Sequence, residues 1–85
     1  MVTSAIRSGS QIRAARALLG WGQSQLAAGA GVAGKTIERA EATSALKGGR
    51  TLRAIEDCLV SNGIVFVDTE EGLGVLVRQT DRTDK

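Results

Sequence analysis

Few residues in this chain can do covalent chemistry. Cys58 is the single cysteine and histidine is absent, so disulfide frameworks, thiolate or imidazole zinc sites, Ser-His-Asp triads and Cys-His dyads are excluded by inventory. Cys58 falls on the apolar face of a predicted helix with only Arg53 as a basic neighbour, and it reads as a small core residue rather than a reactive thiol. Gly29-Ala30-Gly31-Val32-Ala33-Gly34 formally satisfies G-x-G-x-x-G, with Glu56 22 residues beyond it. A dinucleotide fingerprint needs a strand directly before the glycines, whereas residues 23–28 read as helix and strand-like sequence comes only after residue 63, so the match is rejected. No catalytic residue, cofactor or metal is expected, and the chain is not expected to be an enzyme. Charge is what remains. Residues 1–63 carry eight basic side chains against four acidic, and the rest three against five. A basic body with a mildly acidic end points weakly toward a polyanionic partner.

The elements that must position these charges follow from local signals. The chain has 85 residues, which is one small domain, and a chain this short hides only about 60 to 65% of its unfolded surface unless a staple or partner adds to it. Ser8-Gly9-Ser10-Gln11 fits the S-x-x-Q capping box and starts a helix over about residues 9–19, with Ile12, Ala15, Leu18 and Leu19 inward and Gly20 as C-cap. A short second helix begins after Gly22 and ends at Gly29 or Gly31. A third covers residues 34–42 with Ile37 and Ala40 inward. Thr43 to Gly49 reads as a loop; Thr51 then caps a fourth helix bearing Leu52, Ile55, Cys58 and Leu59 on one face and ending at Asn62-Gly63. Ile64 to Val67 and Leu73 to Val77 are strand-like around a turn at Asp68 to Gly72. These strands are apolar on both faces, and one helical layer covers only one of them, so Ile64, Val65, Phe66, Val67, Val75 and Val77 are assigned to a dimerising hairpin, with a hairpin that only packs on its own helices as the alternative. Residues 79–85 hold no apolar side chain and read as a flexible tail.

Two short helices around a glycine-containing turn form a helix-turn-helix outline. The stretch from Arg16 through Gly20-Trp21-Gly22-Gln23, Leu26-Ala27, Ala30-Gly31-Val32 and Thr36-Ile37 to Glu41 resembles the XRE or phage-repressor/Cro-like helix-turn-helix family over roughly residues 8–62. The implied architecture is mainly α: a four-helix, lambda-repressor-like domain over residues 1–63, then a hairpin over 64–78 and the tail. In that family an arginine of helix one pairs with a glutamate ending helix three, and the matching residues are Arg16 and Glu41. Gln23 matches the glutamine that holds a DNA phosphate and buttresses the recognition helix. Gly34, Lys35, Thr36 and Arg39 match positions that read bases or grip the backbone. Lys35 and Arg39, four apart, share a helical face, and either type meets the O6 and N7 acceptors of guanine in the major groove. Glu38 between them accepts from cytosine N4 or orients Arg39. Lys47 and Arg50 flank the loop where the family places phosphate contacts. Three departures stand out: Ala33 replaces the frequent Ser or Thr N-cap, Gly34 removes a side chain from a base-reading position, and Gly29 stands where a charged residue is usual.

The resemblance implies a sequence-specific regulator binding double-stranded DNA as a homodimer on a palindromic operator. The alternative is an interaction module on the same scaffold, an antiactivator or antitoxin with a protein partner and weak or no DNA binding. Met1 to Arg7 lacks an apolar export segment, and no run approaches about 18 apolar residues. A soluble, cytoplasmic protein without a membrane partner is therefore expected.

Overall fold

Ser8 turns the chain into its first helix. Its backbone is extended, its hydroxyl accepts from the Ser10 amide at 3.3 Å, and the Gln11 side-chain oxygen accepts from the amides of Ser8 and Arg7 at 3.1 and 2.7 Å. The computed structural model describes residues 2, 3 and 6–78, and the expected tail over 79–85 lies outside them. Its elements in chain order are β1 (Val2–Thr3), α1 (Gly9–Leu19), α2 (Gln23–Ala30), α3 (Gly34–Glu41), α4 (Arg50–Ser61), β2 (Ile64–Thr69) and β3 (Gly72–Val77). Four helices followed by an antiparallel hairpin make the fold mainly helical.

Most boundaries fall where the caps put them. Gly20 ends α1, and Gly31, at φ 72°, ends α2 in the left-handed conformation that a side chain would disfavour. The fourth helix is the exception. It begins at Arg50 behind Gly49, whose φ of 154° belongs to glycine, and no side chain caps it. Thr51, expected as the cap, instead lies inside the first turn. Turning at Gly48-Gly49 puts the cap at Gly49 and starts the helix two residues earlier than the hydroxyl suggested.

The hairpin also differs. Its strands run on through Asp68 and Thr69, leaving Glu70-Glu71 as a two-residue turn in which the Thr69 hydroxyl accepts from the Glu71 amide at 3.1 Å. A third strand, β1, pairs antiparallel with β2 (Val2 opposite Val67, Thr3 opposite Phe66), giving the order β1-β2-β3. Two residues are too few to show a period, so the sequence carried no signal for it. Through β1, both ends of the described chain share one sheet.

The core fixes which sheet face is inward. Ile12 and Ala15 of α1, Leu26 and Ala27 of α2, Ile37 of α3, and Ile55 and Leu59 of α4 are buried together with Ile64 and Phe66 of β2. Each large side chain contributes about 1.5–3 kcal/mol by leaving water. Ile64 pairs with Val77 and Phe66 with Val75, so those four share the inner face, and Val75 and Val77 pack against the same core. This corrects the assignment of Ile64 and Phe66 to a dimer surface: both are sealed under the protein's own helices and face no second chain. Val65, Val67 and Leu76 occupy the opposite face; the valines are half-buried and Leu76 is exposed. At the start of α1, Gly9 lets that helix cross the C-terminal end of α3, since a Cβ there would collide with the Ala40 and Glu41 carbonyls. The Gly9 amide donates to the Thr43 carbonyl at that crossing, 2.8 Å away.

Candidate nucleic-acid interface

The turn between α2 and α3 is built by backbone bonds: the amides of Gly31 and Val32 donate to the Ala28 and Ala27 carbonyls at 3.3 and 3.0 Å. From there α3 sets off with Ala33 as a cap that contributes no side-chain bond. Ile37 on its inner side is fully buried. One and two residues from Ile37, and so turned away from its side of the helix, Lys35, Glu38 and Arg39 are exposed and Thr36 is half-buried, while Gly34 opens onto empty space. Among the described residues no carboxylate lies within 4.0 Å of Lys35 or Arg39. Both cations are therefore free to engage an external acceptor.

A side-chain network holds the far end of α3. Arg16 grips Glu41 with two parallel bonds, Nε to Oε2 at 2.6 Å and Nη2 to Oε1 at 3.0 Å, while its Nη1 donates to the Trp21 carbonyl at 3.0 Å. The Gln23 amide donates to Glu41 Oε1 at 3.0 Å. Helix one, the first residue of α2 and the last of α3 thus meet on one carboxylate, and Arg16 also ties in the α1–α2 link through the Trp21 carbonyl. Only 5% of the Glu41 side chain is exposed. Burial pushes its pKa up, but the bonds from Arg16 and Gln23 and the positive charges of Arg16 and Arg13 outweigh burial and hold it below the ordinary carboxylate value. The bond to Glu41 in turn raises Arg16. The pairing of Arg16 with Glu41 is the one the resemblance implied. Gln23 was expected on a phosphate; in the structure its amide nitrogen is engaged with Glu41, the buttressing half of its expected role.

Lys47 and Arg50 are both exposed around the start of α4. The first helical bond there is from the Arg53 amide to the Gly49 carbonyl at 2.9 Å, so the amides before it point out of the helix end uncapped. Beside them a cleft of about 280 Å³ is lined by Ala40, Leu46, Lys47, Gly49, Arg50 and Thr51. None of the four helices has an acidic residue in its first turn. Their N-terminal ends keep their positive partial charge, which favours an anion such as phosphate.

Two residues gain meaning that the sequence pattern did not give them. Arg13, exposed on α1, is near enough to Glu41 to act on its charge and adds a cation beside the Gln23 end of α2. Gly29 is explained by α4: a Cβ at this position would stand 2.8 Å from the Cys58 sulfur. Cys58 is half-buried there, and burial pushes its thiol pKa up, away from reactivity. Among the described residues no helix is long and apolar enough to cross a membrane. Comparison of the chain with protein-family models and with curated proteins finds no match.

Proposed function

We propose that this chain is a DNA-binding transcriptional regulator of the XRE or phage-repressor/Cro-like helix-turn-helix type, working in the cytoplasm as a homodimer on a palindromic site in double-stranded DNA. The observation that carries the reading is the two-sidedness of α3. Its inner side is held by Ile37 and by Glu41's bonds to Arg16 and Gln23, while its outer side presents Lys35 and Arg39 with no carboxylate partner among the described residues. A helix held this way enters a major groove without reorganising, and the rigidity of its far side fixes which base edges its side chains meet. Lys35, Thr36 and Arg39 read bases, with Glu38 accepting from cytosine or steadying Arg39, and Gly34 allows close approach. Gln23, through the rest of its amide, and Lys47 and Arg50, beside the uncapped start of α4, hold phosphates.

Selection from random duplexes at stated salt tests the reading, and recovered palindromes support it. On the selected site Arg39→Ala is expected to relax preference at one base pair per half-site by about 1–3 kcal/mol. Lys47→Ala is expected to weaken all sequences alike and to flatten the salt slope by about one unit. Equal losses on specific and random DNA would remove Arg39 from the reading set. A selection that enriches nothing favours an interaction module on this scaffold instead.

A further inference from the structure

Two clefts of about 280 Å³ each share one wall, formed by Leu46, Gly48, Gly49 and Leu52. Leu46 is fixed in that wall by its amide, which donates to the Arg7 carbonyl at 2.9 Å. The other walls differ in charge. One cleft adds Arg7, Arg53 and Glu56, so a carboxylate stands among its cations, and Arg7 is already paired with Asp68. The other adds Ala40 of α3, Ile55 of α4 and the exposed Lys47 and Arg50. Its lining holds two cations and no carboxylate, and among the described residues neither cation has an ion-pair partner. The apolar part of this cleft continues the core: Ala40, Leu46 and Leu52 are half-buried against it, and Ile55 is sealed within it. Water finds few hydrogen-bond partners on such a surface, whereas apolar walls with a few convergent polar groups suit a small organic ligand.

We propose that the cleft between Ala40 and Arg50 binds a small amphiphilic carboxylate, a medium-chain alkyl acid, and that this ligand is an effector that loosens DNA. Its chain covers Ala40, Leu46 and Leu52, and its carboxylate meets Lys47 and Arg50. The lining sets the sign of the charge, since an ammonium of the same shape would meet two like charges. It also requires the chain, because a bare anion leaves the apolar wall wet. The effector role rests on the reading above in which Lys47 and Arg50 hold phosphates: carboxylate and DNA compete for the same two side chains, while the alkyl chain lies against α3 at Ala40, between Arg39 and Glu41.

Titration of the isotope-labelled full chain with octanoate, without DNA, tests the site through its amide shifts. Octanoate should saturate, with shifts centred on Ala40 and residues 46–52, whereas octylammonium and acetate should not saturate over the same range. Lys47→Glu combined with Arg50→Glu, both at exposed positions, should reverse the preference to octylammonium with unchanged helical circular dichroism. Failure of octanoate to saturate, equal binding of the two amphiphiles, acetate as effective as octanoate, or shifts centred on the exposed Leu73 and Leu76 each overturn the site. On a duplex selected as above, saturating octanoate should flatten the salt slope of DNA binding by about two units, one for each cation withdrawn. Octanoate that fills the cleft and leaves that slope unchanged overturns the effector role and removes Lys47 and Arg50 from the phosphate contacts. A selection that yields no duplex overturns the DNA reading and the effector role together, while the titration still decides the site.

Discussion

The two ion pairs among the described residues sit in regions of opposite character. Arg16–Glu41 joins α1 to α3 with side chains 18% and 5% exposed, and the carboxylate also takes a bond from Gln23. Arg7–Asp68 joins the entry to α1 with the end of β2 at 3.1 Å, with side chains 60% and 31% exposed, where water competes for both partners. Similar partners therefore play different parts. The first closes the space behind a helix, its guanidinium shared between Glu41 and the Trp21 carbonyl; the second tethers a sheet end that β-pairing already holds.

Breaking the first pair should have the largest effect. Glu41→Ala leaves the buried side of Arg16 and the Gln23 amide without an acceptor, and a loss of about 3 kcal/mol in thermal or urea unfolding is expected. An unchanged melting temperature together with lost DNA binding would mean that the pair acts on DNA rather than on the fold. Acid sharpens the point. Glu41 has a folded pKa below its unfolded one, so its contribution is complete above the unfolded value, about 4.3, and disappears as pH falls through the lowered folded value. The stability gap between wild type and Glu41→Gln should therefore narrow below about pH 4.

Gly29 and Cys58 give a smaller effect. Alanine at an exposed helical glycine ordinarily gains about 1 kcal/mol. Here the Cys58 sulfur occupies the space, so Gly29→Ala should gain nothing or lose stability alone, yet stabilise by about 1 kcal/mol in a Cys58→Ala background. Equal effects in both backgrounds would show that the sulfur simply turns aside. Asp68→Asn should matter least, with less than about 1 kcal/mol lost and that fraction vanishing in high salt. A loss comparable with Glu41→Ala would erase the contrast between the regions.

What could be read from the sequence was what neighbouring residues decide. Ser8 with Gln11, then Gly20 and Gly31, place three helix ends because capping is a matter of a few residues. Thr51 misled for the same reason: its hydroxyl suits a cap, but the backbone had already turned at Gly49. Ile64-Val65-Phe66-Val67 is apolar at every position, so no periodicity could say that Ile64 and Phe66 face the helices, and only the packing of α4 and α1 decides it. In the candidate interface, the resemblance supplied Arg16 with Glu41 and the outward set on α3. That the Gln23 amide is bound to Glu41, and that Gly29 yields to Cys58, depend on distances between helices that no local pattern carries.

Gln11 has a consequence for how the protein comes into being. Its oxygen serves the amides of Arg7 and Ser8, while its nitrogen donates to the Gly74 carbonyl, 63 residues away, at 3.1 Å. On a growing chain, the first helix can turn but cannot satisfy this side chain until almost the whole sequence has left the ribosome. The start of α1 and the return strand are thus expected to lock together late and in one cooperative step, so that a nascent or truncated chain has a helical beginning but no finished native state.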